Sequence, residues 1–185
     1  MSKEKHQKND NQTGSSRCDG GNLKIEVLRA VDEWQRAGAY SVRIQRMNRQ
    51  FKIPLREEFD EHDGQGTRYI VLLDDGYPVA TCRFFEPVPG VAESDPLAAG
   101  YAPYDSLVML GRMVVLSEYE GLGLGARTMN EAEAWIRELG YRYIGVDSRL
   151  TAVDFYKKLG YRAIDPKVVI SGPFECVQMV KDLSD

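Results

Sequence analysis

Apolar and polar positions change period several times along the chain, and each change marks an element. LKIEVLRA puts Ile25 and Val27 on one face, the two-residue period of a strand. From Val31 to Asn48 the period lengthens: Trp34, Ala37, Tyr40, Ile44 and Met47 recur at steps of three and four, which predicts an amphipathic helix. Pro54, clustered acids and two glycines break the pattern in FKIPLREEFDEHDGQG and predict a loop. Two β-rich runs in RYIVLLDDGYPVATCRFFE then flank Asp74-Asp75-Gly76, a hairpin signal. Pro87 to Pro103 is rich in Pro and Gly and reads as a long loop of the kind that is often functional.

The remainder predicts a strand over Leu107 to Leu116, a helix over Gly123 to Leu139 ended by Gly140, and a strand over Tyr143 to Val146. A short helix over Thr151 to Leu159, ended by Gly160, precedes strands around Tyr161 to Ile164 and Phe174 to Val180. The pattern predicts one α/β (α+β) domain over residues 22–185, without internal repeats. Met1 to Gly21 is polar, has no apolar stretch like that of a signal peptide, and reads as a disordered tail.

Composition narrows the function classes. Hydrophobic residues at 43% and charged residues at 28% are ordinary for a globular chain. A net charge of -4 argues against a nucleic-acid partner, which asks for a basic face. No apolar run approaches the roughly 18 residues that span a bilayer, so no membrane role is expected. Cys18, Cys82 and Cys176 are scattered without zinc or disulfide spacing and fit a reducing cytoplasm.

The chemistry concentrates in EGLGLGART, Glu120 to Thr128, between a predicted strand and a predicted helix. Alternate glycines there let backbone amides approach a ligand closely, and helix N-termini attract anions, so the ligand is expected to carry phosphate. A nucleoside triphosphate loop would need a lysine after the glycines, and none is present. GLGLGA matches a dinucleotide fingerprint literally, with Asp147 about 20 residues further on. That fold, however, needs more parallel strands than the chain beyond Val146 supplies.

Coenzyme A is the third phosphate-bearing ligand. VVLSEYEGLGLGA resembles motif A of the GNAT superfamily of acyl-CoA-dependent N-acyltransferases, in which Arg or Gln, two residues, Gly, one residue and Gly or Ala follow a strand. TAVDFYKKLGY resembles the superfamily's next motif, with Ala152, Phe155, Tyr156, Gly160 and Tyr161 in place. AYSVRIQRMNRQFKIPLREEFDEHD is similar to the first helix and acidic loop of the small bacterial ElaA-like branch, and FECVQMVK to its last strand. The resemblance therefore runs from about Leu23 to Lys181. Three features depart from the pattern: Glu120 stands where Arg or Gln is usual, Arg149 where many members carry Asn, and the Pro87 to Pro103 loop is longer than in that branch.

The resemblance implies a mixed, mostly antiparallel central sheet with helices on both faces. It implies acetyl-CoA as co-substrate, no metal, and acetyl transfer to a primary amine of a small molecule or peptide by direct attack in a ternary complex. Pyrophosphate contacts would come from Glu120, Gly121, Leu122, Gly123, Leu124, Gly125, Ala126 and Arg127. The pantetheine arm would pair with the main chain of Met113, Val114 and Val115, where this strand splays from the next, and Arg149 would bring positive charge near the thioester. Tyr156 falls at the general-acid tyrosine. Glu86, or Glu57, Glu58 and Asp60 in the acidic loop, are the candidate bases.

Plainer roles stand beside these. Tyr156 reads first as a core aromatic beside Phe155 if the motif is set aside. Glu57 to Asp63 reads as a solvated loop, and His62 as a surface residue without a second metal ligand nearby. Trp34 and Trp135 fall on apolar helix faces and are expected in the core, while Arg83 and Arg112 are expected to pair with the acidic loop. A non-catalytic acyl-CoA sensor and an acyl-homoserine-lactone synthase, which shares the fold, are the alternative functions. A homodimer is left open.

Overall fold

The structure is a computed structural model that describes residues 22–87 and 99–184. The expected tail and most of the Pro87 to Pro103 loop lie outside those residues. The described elements are β1 (Ile25–Arg29), α1 (Glu33–Arg43), which continues as a π-helical extension (Ile44–Gln50), α2 (Leu55–Glu58), β2 (Arg68–Asp74), β3 (Tyr77–Phe85) and β4 (Leu107–Val115). They continue with α3 (Leu124–Glu138), β5 (Tyr143–Arg149), α4 (Val153–Lys158), β6 (Arg162–Ser171) and β7 (Phe174–Asp182).

The seven strands form one sheet in the order β1-β2-β3-β4-β5-β7-β6. Every neighbouring pair is antiparallel except β4 and β5, which run parallel. Asp75 and Gly76 take φ values of 47° and 87° between β2 and β3, the double left-handed turn that two-residue hairpins favour. The larger core lies on one face, where Ile70, Leu72, Phe84 and Leu110 pack with Met129 and Ile136 of α3 and with Ile144 and Met179. On the other face Ala39 of α1 packs with Tyr69 and Val71, and Val42 and Met47 pack with Val114 and Leu116.

One unusual residue separates the two faces along β4. Thr81 pairs with Val114 and Arg83 with Gly111, so β4 carries one more residue than β3 across this stretch. The extra residue is Arg112, at φ 49°. It shifts the strand's alternation: Val108 and Leu110 meet the α3 core before it, and Met113 and Val115 after it.

The acidic segment holds this bulge. Arg112 donates to the main-chain carbonyls of Glu57 and Glu58 and pairs with Glu58 and Asp60, each at 3.1 Å. Arg43 reaches Glu58 at 2.6 Å and Asp63 at 2.5 Å, and Arg83 reaches Asp60 at 2.7 Å and Asp63 at 2.5 Å. Tyr69 adds a hydroxyl to Asp63 at 2.8 Å. Three arginines and three carboxylates balance, with Arg43 and Glu58 fully buried. Asp60 and Asp63 are desolvated, which alone would raise their pKa values, but the adjoining guanidinium groups hold both below the usual carboxylate range.

This geometry corrects two expectations. Within the acidic run Arg43, Arg83 and Arg112 draw Glu58, Asp60 and Asp63 against the sheet, so only Glu57 and Glu61 keep the solvated character expected of the whole loop; the pairing expected for Arg83 and Arg112 is present. Trp34 is 58% exposed rather than core. The buried side of α1 consists of Gln35, Ala39, Val42 and Arg43 instead. The ion pairs of Arg43, and the carboxamide of Gln35 accepting the N–H groups of Val31 and Asp32, set the helix's rotation. Trp135 does pack against the core, edge-to-face with Phe84 at 5.3 Å.

Removing one member of this network leaves buried charge uncompensated. Arg43→Met should cost about 3–5 kcal/mol, a fall in Tm of roughly 6–20 °C for a chain of this size, read by thermal melting. Because Asp60 and Asp63 titrate below their unfolded values, their contribution is present above about pH 4 and is lost as pH falls below it. Acid titration of the wild type monitored by circular dichroism checks that direction.

Candidate active site

Parallel pairing of β4 with β5 is short. It runs from Leu107–Tyr143 to Met109–Gly145 and stops, although β4 continues to Val115 and β5 to Arg149. Beyond Met109 the two strands diverge, leaving the β5-side edge of β4 without a strand partner. Met113, Val114 and Val115 lie on that stretch. Gly145 admits the ring of Tyr101 at the fork: a Cβ there would fall 2.7 Å from the ring.

At the end of β4 the chain makes a 3-10 turn, Ser117–Tyr119, and enters the glycine loop. Gly121 and Gly123 take φ values of 78° and 79°, a region costly for residues with a Cβ, and a Cβ at either would point into open space. Gly123 caps α3 without any side-chain hydrogen bond, and the N–H of Arg127 is the first to bond within the helix, to the Gly123 carbonyl. The N–H groups of Leu124, Gly125 and Ala126 are therefore unclaimed by the helix, with its positive dipole end behind them. Gly125 sits where a Cβ would fall 3.3 Å from Met113 and 3.5 Å from the Phe155 ring, so the loop, the free edge of β4 and α4 meet there. Arg127 turns away and donates to the Ile25 carbonyl at 3.3 Å.

Glu120 does not stand alone. Its carboxylate is paired by Arg46 of the π-helical extension, which also donates to Ser117 and, at 2.7 Å, to Gln50. A hollow of about 170 Å³ lined by Gln45, Arg46, Arg49, Gln50, Leu116, Ser117 and Glu118 opens beside it. Arg46 is not legible as a site residue in the sequence because its partner is 74 residues away.

Tyr156 is 8% exposed and stacks edge-on against Phe155 at 5.1 Å and Tyr161 at 5.4 Å. Burial above all, with Cys82 nearby, holds its phenol well above the ordinary tyrosine value, while Arg149 opposes the shift. The hydroxyl is therefore protonated throughout the working pH range. Burial also pushes the Cys82 thiol up to about 12 and the Cys176 thiol up to about 11, so neither is a nucleophile at neutral pH.

Two site expectations are corrected by placement. Glu86 follows the C-terminal end of β3, beyond Phe85, which pairs with Met109, whereas the free edge begins past Met109 and runs the other way. Its carboxylate accepts the Tyr141 hydroxyl and is not brought near Tyr156. Glu58 and Asp60 are bound by arginines, and the guanidinium groups hold the Asp60 carboxyl below its usual range. Arg149 lies on the face of the sheet away from α3, and its charge still bears on Tyr156. Ile144 and Val146 face α3, so Gly145, Asp147 and Arg149 share the opposite face, with Asp147 accepting from Tyr101 at 3.0 Å and Gln178 at 3.3 Å. The His62 ring stacks on Phe85 at 4.2 Å. Among the described residues no three His, Cys, Asp or Glu side chains group to hold a metal ion, and no helix is long and apolar enough to cross a membrane.

A sheet forked at its parallel pair, with a glycine-lined helix N-terminus beside the fork, is the architecture of acyl-CoA-using acetyltransferases. The chain belongs to the acetyltransferase (GNAT) family, which it matches over residues 28–161. An uncharacterised acetyltransferase of Streptococcus pyogenes serotype M1 is 31% identical over 129 residues, 70% of this chain and 79% of that protein. The solved structure of a protein from Lactobacillus plantarum assigned as an N-acetyltransferase superposes with a TM-score of 0.71 at 26% identity, covering 86% of this chain and 98% of that one. Escherichia coli ElaA shares the fold, with a TM-score of 0.65 at 15% identity over 86% of this chain and 99% of its own.

The Arg46–Glu120 pair has a measurable consequence. If the glycine loop holds the phosphates of an acyl-CoA, Arg46→Met should weaken acetyl-CoA binding about 2-fold to 5-fold by exposing a negative charge beside it. Adding Glu120→Gln to that variant should restore the affinity, as titration calorimetry would show.

Proposed function

We propose that the protein is an N-acyltransferase that moves an acetyl group from acetyl-CoA to a primary amine with both substrates bound together. The observation that carries this reading is the fork between β4 and β5, bordered by the open N-terminus of α3 and by the helix that carries Tyr156. The residues present fit the co-substrate: Gly121 and Gly123 leave the space a Cβ would fill, and unclaimed N–H donors face it. Acetyl-CoA supplies the activated thioester and a thiol leaving group.

The chain's own groups divide the remaining work. The N–H groups of Leu124, Gly125 and Ala126 hold the pyrophosphate, and the free edge of Met113, Val114 and Val115 pairs with the two pantetheine amides. A main-chain N–H on that edge also donates to the thioester oxygen as it gains charge. The amine nitrogen attacks the thioester carbon; a C–N bond forms, the C–S bond breaks, and the proton shed by nitrogen passes to water. Tyr156 gives its proton to the departing sulfur and regains one from solvent. Its raised pKa keeps that proton in place until a thiolate develops in the same dry surroundings.

Of the candidate bases, Glu86 is at the far end of β3, Glu58 and Asp60 are bound by arginine, and Glu57 is exposed with only its main-chain carbonyl engaged, so in this reading no carboxylate takes the proton and the amine reaches the fork already neutral. For an acceptor with an ordinary pKa near 10.4, kcat/KM should rise about tenfold per pH unit between pH 7 and 9. A plateau in that window would reveal a base within the protein. Tyr156→Phe keeps the ring, so acetyl-CoA affinity should hold while kcat falls roughly 10²-fold to 10⁴-fold in a thiol-release assay. Wild-type turnover in that variant would remove Tyr156 from the mechanism, and tight acetyl-CoA binding without turnover on any amine would point to a sensor.

A further inference from the structure

Arg149 ends β5 on the face away from α3, beyond the last β4–β5 pair. Its guanidinium lies 5.2 Å from the ring centre of Phe51, which follows the π-helical extension, and 5.1 Å from that of Phe174, at the start of β7. The two rings meet edge-to-face at 6.1 Å. Phe174 also packs on the cluster containing Val114 and Leu116, so this group spans from β7 to the end of β4 across the fork. Arg149 acts electrostatically on Tyr156, which places its charge within reach of the proposed reacting centre.

The arginine is held but not neutralised. Arg43, Arg46, Arg83 and Arg112 each meet a carboxylate, whereas Arg149 meets none among the described residues. Aromatic faces fix a guanidinium's plane while leaving its N–H edge available for a bidentate anion. The N–H donors of the glycine loop head α3, which packs on the opposite face of the sheet, and where the loop reaches Arg149's side its acid, Glu120, is met by Arg46, which lies over the same Phe51 ring. With the co-substrate's phosphates served by those N–H donors, the anion left for Arg149 is one that the acceptor carries.

We infer that Arg149 selects the acceptor: the amine acetylated by this protein carries a carboxylate, which pairs with Arg149 between Phe51 and Phe174 while the amino group reaches the fork. The inference rests on the transferase reading and names the substrate class. Phe51 and Phe174 add an apolar wall, which favours amino acids with apolar or aromatic side chains over small polar ones.

The test uses acetyl-CoA with a panel of L-amino acids and their carboxamides, scoring thiol release by wild type, Arg149→Gln and Arg149→Lys. For each amino acid, the ratio of its kcat/KM to that of its amide isolates the carboxylate, because the altered charge near Tyr156 affects both acceptors alike. Wild type should prefer at least one amino acid over its amide, Arg149→Gln should lower that ratio about 10-fold to 100-fold, and Arg149→Lys should recover part of it. Melting curves confirm that the variants fold, and calorimetry should find acetyl-CoA affinity unchanged. A ratio that does not move in Arg149→Gln overturns the inference. Turnover confined to amines without a carboxylate overturns it too, yet leaves the transferase reading intact. Absence of thiol release with every amine, despite acetyl-CoA binding, overturns both.

Discussion

One residue of β4 adopts a backbone conformation that a long side chain ordinarily avoids, and the site is organised around it. Arg112 sits at φ 49°, which costs about 1–3 kcal/mol. Its guanidinium offsets that cost by bonding to the Glu57 and Glu58 carbonyls and to the Glu58 and Asp60 carboxylates. The acidic segment after α1 is therefore a clamp on a bulge. A bulge increases local twist, and this one lies just past Met109, the last residue of β4 paired with β5. The same extra residue turns Met113 towards α3 and Gly125, and Val114 towards α1.

From that geometry follows a division of labour between the two faces of the sheet. One face carries the open helix N-terminus and Tyr156, groups suited to an anionic co-substrate and to a leaving thiol. The other carries the arginine network and, past the fork, Arg149 between two aromatic rings. Charge is handled differently on the two sides. In the network each guanidinium is matched by carboxylates, which makes it structural. Arg46 is matched with Glu120, so the glycine loop carries no uncompensated charge from the acid that stands in it. Arg43, Arg46 and Arg83 also lie over aromatic rings, but each of them meets a carboxylate as well; Arg149 has the rings without a carboxylate among the described residues.

What is legible in the chain divides along local and non-local lines. Asp74-Asp75-Gly76, Gly140 and Gly160 announce their turns because a positive φ selects the residue locally, and the strand-glycine-helix order of Glu120 to Arg127 is equally local. The buried face of α1 is not legible, because its rotation is decided by Arg43 reaching Glu58 and Asp63, 15 and 20 residues away, rather than by Trp34. Glu86 is suitable by type and by its place after a strand, but antiparallel pairing puts it at the end of the sheet away from the free edge. The bulge at Arg112 leaves no mark in the period of GRMVVLSEY, since apolar residues stand on both sides of the shift.

If the fork between β4 and β5 seats the co-substrate's arm, amide hydrogen exchange reads that contact directly. Saturating acetyl-CoA should slow exchange at Met113 to Val115 and at Leu122 to Ala126, by about tenfold or more, while β6 and the turn at residues 64–67 stay unchanged. Tight binding with no slowing at those amides, or with protection at a different part of the sheet, would contradict a co-substrate seated in the fork.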